Sequence, residues 1–152
     1  MEQIIILAGW FGVFSVMAFG AFGSILGCAK AGQTACGAML DTDEGHGKFI
    51  GLSAMPSSQS IYGIVMMFIL KDKIALFNAH PEFAGAVFVI GLLTGLVFLL
   101  SAVYQGECCA SAINASKTKP EVFGKSVAPA GIVEGFAVFA LIMGIIMAAV
   151  IK

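Results

Sequence analysis

The sequence predicts an all-α membrane protein of four transmembrane helices, arranged as two repeated helical hairpins. Three observations carry that prediction. The 152 residues are 59% hydrophobic and only 11% charged, with a mean hydropathy of +0.99, well outside the range of a soluble globular domain. Four segments (residues 3–29, 49–70, 83–106 and 126–151) contain no charged side chain except Glu134. Each reaches the ~20 residues that a helix needs to cross ~30 Å of hydrocarbon. The order span, connection, span then occurs twice, with little chain left outside the bilayer.

Composition also excludes several classes. A net charge of −1 gives no basis for binding nucleic acid. Met1-Glu2-Gln3 lacks the basic start of a signal peptide and the apolar run behind it is too long for a signal core, so span 1 is expected to be retained. Cys28, Cys36, Cys108 and Cys109 lack zinc-ligand spacing, and His46 and His80 fall in different connections. The cysteines are expected to be small packing residues.

Span 1 starts near Ile4 and carries Gly9, Gly12, Gly20, Gly23 and Gly27 beside Ala8, Ala18 and Ala21. Gly23 and Gly27 form a small-xxx-small pair, which lets helix backbones approach closely in lipid. A four-helix bundle hardly needs so many glycines, so packing against identical copies is expected. The helical pattern can run past Ala29 toward Met39, emerging from the membrane. Residues 41–48 are polar and punctuated by glycine, hence a loop; Asp41, Asp43 and Glu44 lack the ordered spacing of a calcium loop.

Span 2 is interrupted by Ser53 to Tyr62. Pro56 removes a backbone donor and leaves the carbonyl four residues earlier without its helical partner. Ser57, Ser58, Gln59, Ser60 and Tyr62 add oxygens at the same depth, and in lipid these must find partners inside protein or line a cavity. Repair of a proline kink would explain the serines, but not Gln59 and Tyr62.

The second connection, residues 71–81, is short and of mixed charge. Span 3 repeats the small-residue pattern with Gly85, Gly91 and Gly95, and is expected to end at Tyr104-Gln105-Gly106-Glu107, with Gln105 near the polar boundary. The third connection holds Lys117, Lys119, Glu121 and Lys125. Pro129 then enters the first turn of span 4, where proline is best tolerated, and Glu134 follows. Lys48, Lys117, Lys119 and Lys125 in connections one and three outnumber Lys71 and Lys73 in connection two. The positive-inside bias therefore predicts a cell-membrane protein with the first and third loops cytoplasmic and both termini outside.

A shift of 75 residues lays span 1 on span 3 and span 2 on span 4, which divides the chain into hairpins 1–75 and 76–152. It puts Gly20 on Gly95, Lys30 on Gln105 and Gln59 on Glu134. Letter identity is poor, so the repeat rests on segment lengths and these pairings. Each hairpin crosses twice, so the repeat is parallel. One half keeps a carboxylate where the other has an amide, which leaves one ionisable site per four helices.

A charge at bilayer depth costs ~2.5 kcal/mol or more, so Glu134 needs a compensating cation or proton. A proton carrier needs only the carboxyl group. A metal-ion carrier needs a carboxylate plus several oxygens around a hard cation. Gln59, Ser58, a carbonyl loosened near Pro56, and Gln105 are of that type, while Tyr62 could donate a hydrogen bond to the carboxylate. These extra groups favour Na⁺ over H⁺.

The segments Met55-Pro-Ser-Ser-Gln-Ser-Ile-Tyr62-Gly63 and Ile132-Val-Glu134-Gly-Phe-Ala137, with Tyr104-Gln105-Gly106, resemble the proteolipid (c- or K-type) rotor component of V-type ATPases, in particular the bacterial sodium-pumping kind. The resemblance covers essentially the whole chain. It implies a homo-oligomeric rotor ring with spans 1 and 3 inside and spans 2 and 4 outside. It implies Na⁺ bound by the Met55 carbonyl and the side chains of Ser58, Gln59, Gln105 and Glu134, with Tyr62 holding the carboxylate. Ser58 departs from the usual threonine but keeps the hydroxyl. Gly12, Gly20, Gly23, Gly27, Gly91 and Gly95 would then serve tight packing in the ring.

The mechanism implied is rotary: Glu134 loads an ion at one half-channel, turns past lipid neutralised, and unloads at another. The implied partners are identical copies, central-stalk subunits, lipid and a stator subunit that supplies an arginine, a residue this chain lacks. No P-loop is present, so ATP chemistry belongs to a partner. The alternatives are the same rotor carrying H⁺, a structural four-span protein that leaves Glu134, Gln59 and Gln105 unexplained, and a small multidrug exporter. That last family places its glutamate in the first helix rather than the last.

Overall fold

In the computed structural model, residues 2–152 are described and all regular structure among them is helical. The predicted span 1 is α1 (Glu2–Leu40). Span 2 is α2 (His46–Ala54), a 3₁₀ turn (Met55–Ser57) and α3 (Ser58–Lys71). Span 3 is α4 (Glu82–Thr118), and span 4 is a 3₁₀ turn (Pro120–Val122), the short α5 (Phe123–Ser126) and α6 (Ala128–Val150). Four helical stretches among the described residues are long and apolar enough to cross a membrane.

α1 and α4 form the most extensive helix pair, and α3 and α6 pack on its flank. The reason is the spacing of small residues. A Cβ placed on Gly12 would lie 2.6 Å from the Val87 carbonyl oxygen, and one on Gly23 would lie 2.6 Å from that of Leu99. Gly91 packs on the Gly12 backbone, Gly95 on Val16, and Gly106 on Gly27. Gly20 and Gly63 bring α1 against α3. With no Cβ in the way, backbones touch and dispersion contacts replace the hydrophobic drive that lipid does not supply.

This corrects the expected use of the glycines. Gly12, Gly20, Gly23, Gly27, Gly91 and Gly95 are turned toward other helices of the same chain, not toward copies of it. The surfaces left over are apolar: Leu7, Phe11, Phe22, Phe68, Leu93, Leu100, Phe139 and Ile146 are all exposed, as suits side chains facing lipid or a neighbouring protomer.

α4 also corrects the predicted end of span 3. It continues twelve residues beyond Gly106, to Thr118. Cys109, Ala112 and Ile113 of this extension are buried with Ala31, Ala35 and Ala38 of α1 and with Phe49 and Leu52 of α2. Polar residues on the outer face hid a helix whose inner face is small and apolar. Both long helices therefore project together past the apolar zone, at the end where loops one and three meet. There Lys117 Nζ lies 2.7 Å from Asp41 Oδ2, and Lys48 Nζ sits 5.1 Å from the centroid of the Phe123 ring. At the opposite end, Lys73 Nζ donates to the Ile151 carbonyl at 3.0 Å and ties the second loop to the end of α6.

Candidate ion-binding site

The site begins with Pro56. Its missing N–H would strand the Leu52 carbonyl in a regular helix. The 3₁₀ turn resolves this, because the Met55 N–H donates to Leu52 O instead. The Ser58 N–H in turn donates to Met55 O. The Ser60 N–H is drawn sideways to Ser24 Oγ on α1 at 3.2 Å. Gly20 lets α1 lie on the Gln59 carbonyl, where a Cβ would come within 2.5 Å. The turn is thus held from below by its own hydrogen bonds and from the side by α1.

On the other face of this turn three oxygens converge. Ser58 Oγ lies 3.3 Å from Met55 O and 3.2 Å from Gln59 Oε1. The Gln59 amide nitrogen faces α4, where it donates to Gln105 Oε1 at 2.9 Å and to Ser101 Oγ at 3.1 Å. Gln105 Nε2 donates to Glu134 Oε2 at 3.0 Å. Tyr62 Oη donates to Glu134 Oε1 at 2.9 Å, and its ring rests against Phe98 with centroids 6.1 Å apart. Gln59 and Gln105 are fully buried, and no buried side-chain N or O atom among the described residues lacks a partner.

All the residues singled out from the sequence as ion-site groups, Met55, Ser58, Gln59, Tyr62, Gln105 and Glu134, fall into this one connected cluster. Lys30, which the 75-residue shift laid on Gln105, is exposed on the projecting part of α1 and takes no part in it. Three groups escaped the sequence reading: Ser101, the Val133 carbonyl to which Ser101 Oγ donates at 3.0 Å, and Ser24. Ser101 stands one helical turn before Gln105, on the same face, and that spacing was the signal for it. Cys109, a turn after Gln105, places Sγ 3.9 Å from Met55 Sδ and acts as packing.

One carboxylate surrounded by neutral oxygens and amides matches a single monovalent cation or a proton, since a divalent ion is ordinarily met by more than one negative ligand. Glu134 itself is only half-buried.

Comparison with known proteins agrees with this architecture. The family of ATP synthase C subunits matches the chain twice, over residues 11–70 and 88–147, one match on each hairpin. Over 132 residues the chain is 31% identical to the A-type ATP synthase subunit K of Methanocaldococcus jannaschii, a match covering 85% of this chain and 58% of that protein. It is 27% identical over 144 residues to the V-type sodium ATPase subunit K of Enterococcus hirae, covering 89% of this chain and 90% of that one. The chain therefore spans little more than half of the archaeal relative and nearly all of the bacterial one. With a family match on each of two hairpins and one carboxylate between them, the chain belongs to the family of ATP synthase C subunits, as a proteolipid of the V/A-type ATPases.

Proposed function

We propose that identical copies of this chain form the rotor ring of a V-type ATPase and carry Na⁺ on Glu134, coupled to ATP hydrolysis by partner subunits. The observation that carries the choice of ion is the direction of the hydrogen bonds. Both Glu134 oxygens accept, one from Tyr62 and one from Gln105. A protonated carboxyl would have to donate from one of them, which the Gln105 NH₂ cannot receive and Tyr62 Oη could receive only by turning its own hydroxyl proton away. The network therefore suits an ionised carboxylate, with its charge balanced by a cation beside Met55 O, Ser58 Oγ and Gln59 Oε1. The name of the bacterial relative, a sodium ATPase component, points the same way. Within this reading the stator supplies the arginine, central-stalk subunits grip the loops, and loops one and three lie on the cytoplasmic side with both termini outside.

Carbodiimide labelling of Glu134 in the isolated ring tests the ion. Labelling needs the protonated carboxyl, so Na⁺ at constant pH is expected to block it by displacing the proton; if Na⁺ leaves labelling unchanged, the rotor carries H⁺. Gln59→Leu and Gln105→Leu should each raise the Na⁺ concentration needed for protection. If both are without effect, the ligand set is wrong. Tyr62→Phe removes one charge-assisted hydrogen bond, of about 1.5–3 kcal/mol, so Na⁺ protection should weaken by tenfold or more. Sizing in mild detergent tests the ring itself, and a monomer would overturn the rotor reading.

A further inference from the structure

We propose that Ser101 is a positioning residue that sets the polarity of the ion site and thereby its preference for a metal cation over a proton. The proposal rests on the reading of Glu134 and its neighbours as a Na⁺ site.

The Val133 carbonyl, immediately before Glu134, can only accept a hydrogen bond. Ser101 Oγ lies 3.0 Å from it, so the hydroxyl proton points there. What remains on Ser101 Oγ is lone pairs, which face Gln59 at 3.1 Å. Gln59 must therefore turn its NH₂ group toward α4. That places Gln59 Oε1 on the opposite side, 3.2 Å from Ser58 Oγ and next to the Met55 carbonyl.

The second N–H of the same amide passes the polarity on. It donates to Gln105 Oε1, so Gln105 must turn its own NH₂ group toward Glu134 Oε2. An unbroken sequence of donors and acceptors thus runs from Val133 through Ser101, Gln59 and Gln105 to Glu134. Reversing the Gln59 amide would set its oxygen against Ser101 Oγ and Gln105 Oε1. Gln105 would then have to reverse as well, presenting an oxygen to Glu134 that welcomes a proton and repels a carboxylate. Ser101 is 6% exposed, so water does not readily replace its hydroxyl. A buried amide with a donor and an acceptor of nearly equal size has no steric reason to choose one orientation. The serine supplies the choice.

The test compares Ser101→Thr with Ser101→Val, which match in shape and differ in the hydroxyl, and adds Ser101→Ala. The readout is carbodiimide labelling of Glu134 in the assembled ring at fixed pH, with increasing Na⁺ and without Na⁺. S101T is expected to stay within about threefold of the unchanged ring, while S101V and S101A need about tenfold more Na⁺. Labelling of the Na⁺-free ring, which needs only the protonated carboxyl, is retained in all three. Equal Na⁺ requirements for S101T and S101V overturn the role of Ser101, as does loss of Na⁺ protection together with loss of labelling in the Na⁺-free ring, which marks general loosening. A native ring that Na⁺ fails to protect overturns the sodium reading itself, and the proposal with it.

Discussion

Glu134→Gln is expected to abolish ion-coupled turnover while leaving the ring assembled. The substitution keeps shape and volume but removes the one negative charge among the described oxygens of the site. The new amide also meets two donors, Tyr62 Oη and Gln105 Nε2, at positions where the carboxylate accepted twice. If its oxygen accepts from Gln105, its NH₂ faces Tyr62 Oη, whose hydroxyl proton must turn away, so a charge-assisted hydrogen bond of about 1.5–3 kcal/mol is lost on top of the attraction for the cation. Carbodiimide labelling at this position should vanish, and Na⁺ transport in reconstituted membranes should fall to background. Substantial Na⁺ transport by E134Q would remove Glu134 from the mechanism altogether.

The second large effect is structural and lies at the crossing of the two long helices. A methyl group on Gly106 would fall directly on the backbone of Gly27. Gly106→Ala must therefore push α4 away from α1, and overpacking of this sort costs about 1–3 kcal/mol. Because the contact is backbone to backbone, no side chain can swing aside to relieve it. Gly27→Ala should be at least as harmful, since its methyl would meet the Ala102 carbonyl and also lie 2.7 Å from Pro56 Cβ. Pressure on Pro56 displaces the turn that presents the Met55 carbonyl, so G27A is expected to weaken Na⁺ protection as well as thermal stability. Gly37→Ala, where nothing lies within 4 Å of the added carbon, serves as the control. It should be neutral or gain up to about 1 kcal/mol from helix propensity. Thermal unfolding of the three variants separates these outcomes, and a G106A protein as stable as the original would show that the helices can part freely.

The four spans were legible because hydropathy is a property of whole segments, and so was the site's principal membership. Gln59, Tyr62 and Glu134 stood out as polar groups without an evident bilayer reason, and Gln105 as a further oxygen near the polar boundary. Ser101 did not stand out, because serine in a membrane helix looks like any other small packing residue. Its function depends on which way its proton points, and that is decided by a carbonyl on another helix. The same limit explains the glycines. Their number spoke for close approach, but a sequence carries no mark of whether the approaching backbone belongs to the same chain. The end of α4 was missed because Glu107, Ser111, Asn114 and Lys117 suggested a connection, whereas Cys109, Ala112, Ile113 and Ser116 are buried behind them. The two family matches are 77 residues apart, from 11 to 88, against the 75 that superposed Gln59 on Glu134; taken end to end, that offset sets Glu134 against Ser57 instead.

α1 and α4 have 39 and 37 residues, and at about 1.5 Å per residue each extends for nearly 60 Å, about twice the hydrocarbon thickness. Neither contains a proline, and neither is broken by a 3₁₀ segment. Within the described spans, every discontinuity falls in the other two: the turn at Met55–Ser57 and the segmented entry to α6. The molecule thus separates stiffness from compliance. A twisting load applied where the first and third loops meet would travel along two unbroken, backbone-packed rods, with little loss to bending. In the proposed rotor, the give needed for an ion to enter and leave would then fall on the segmented spans 2 and 4, apart from those two rods.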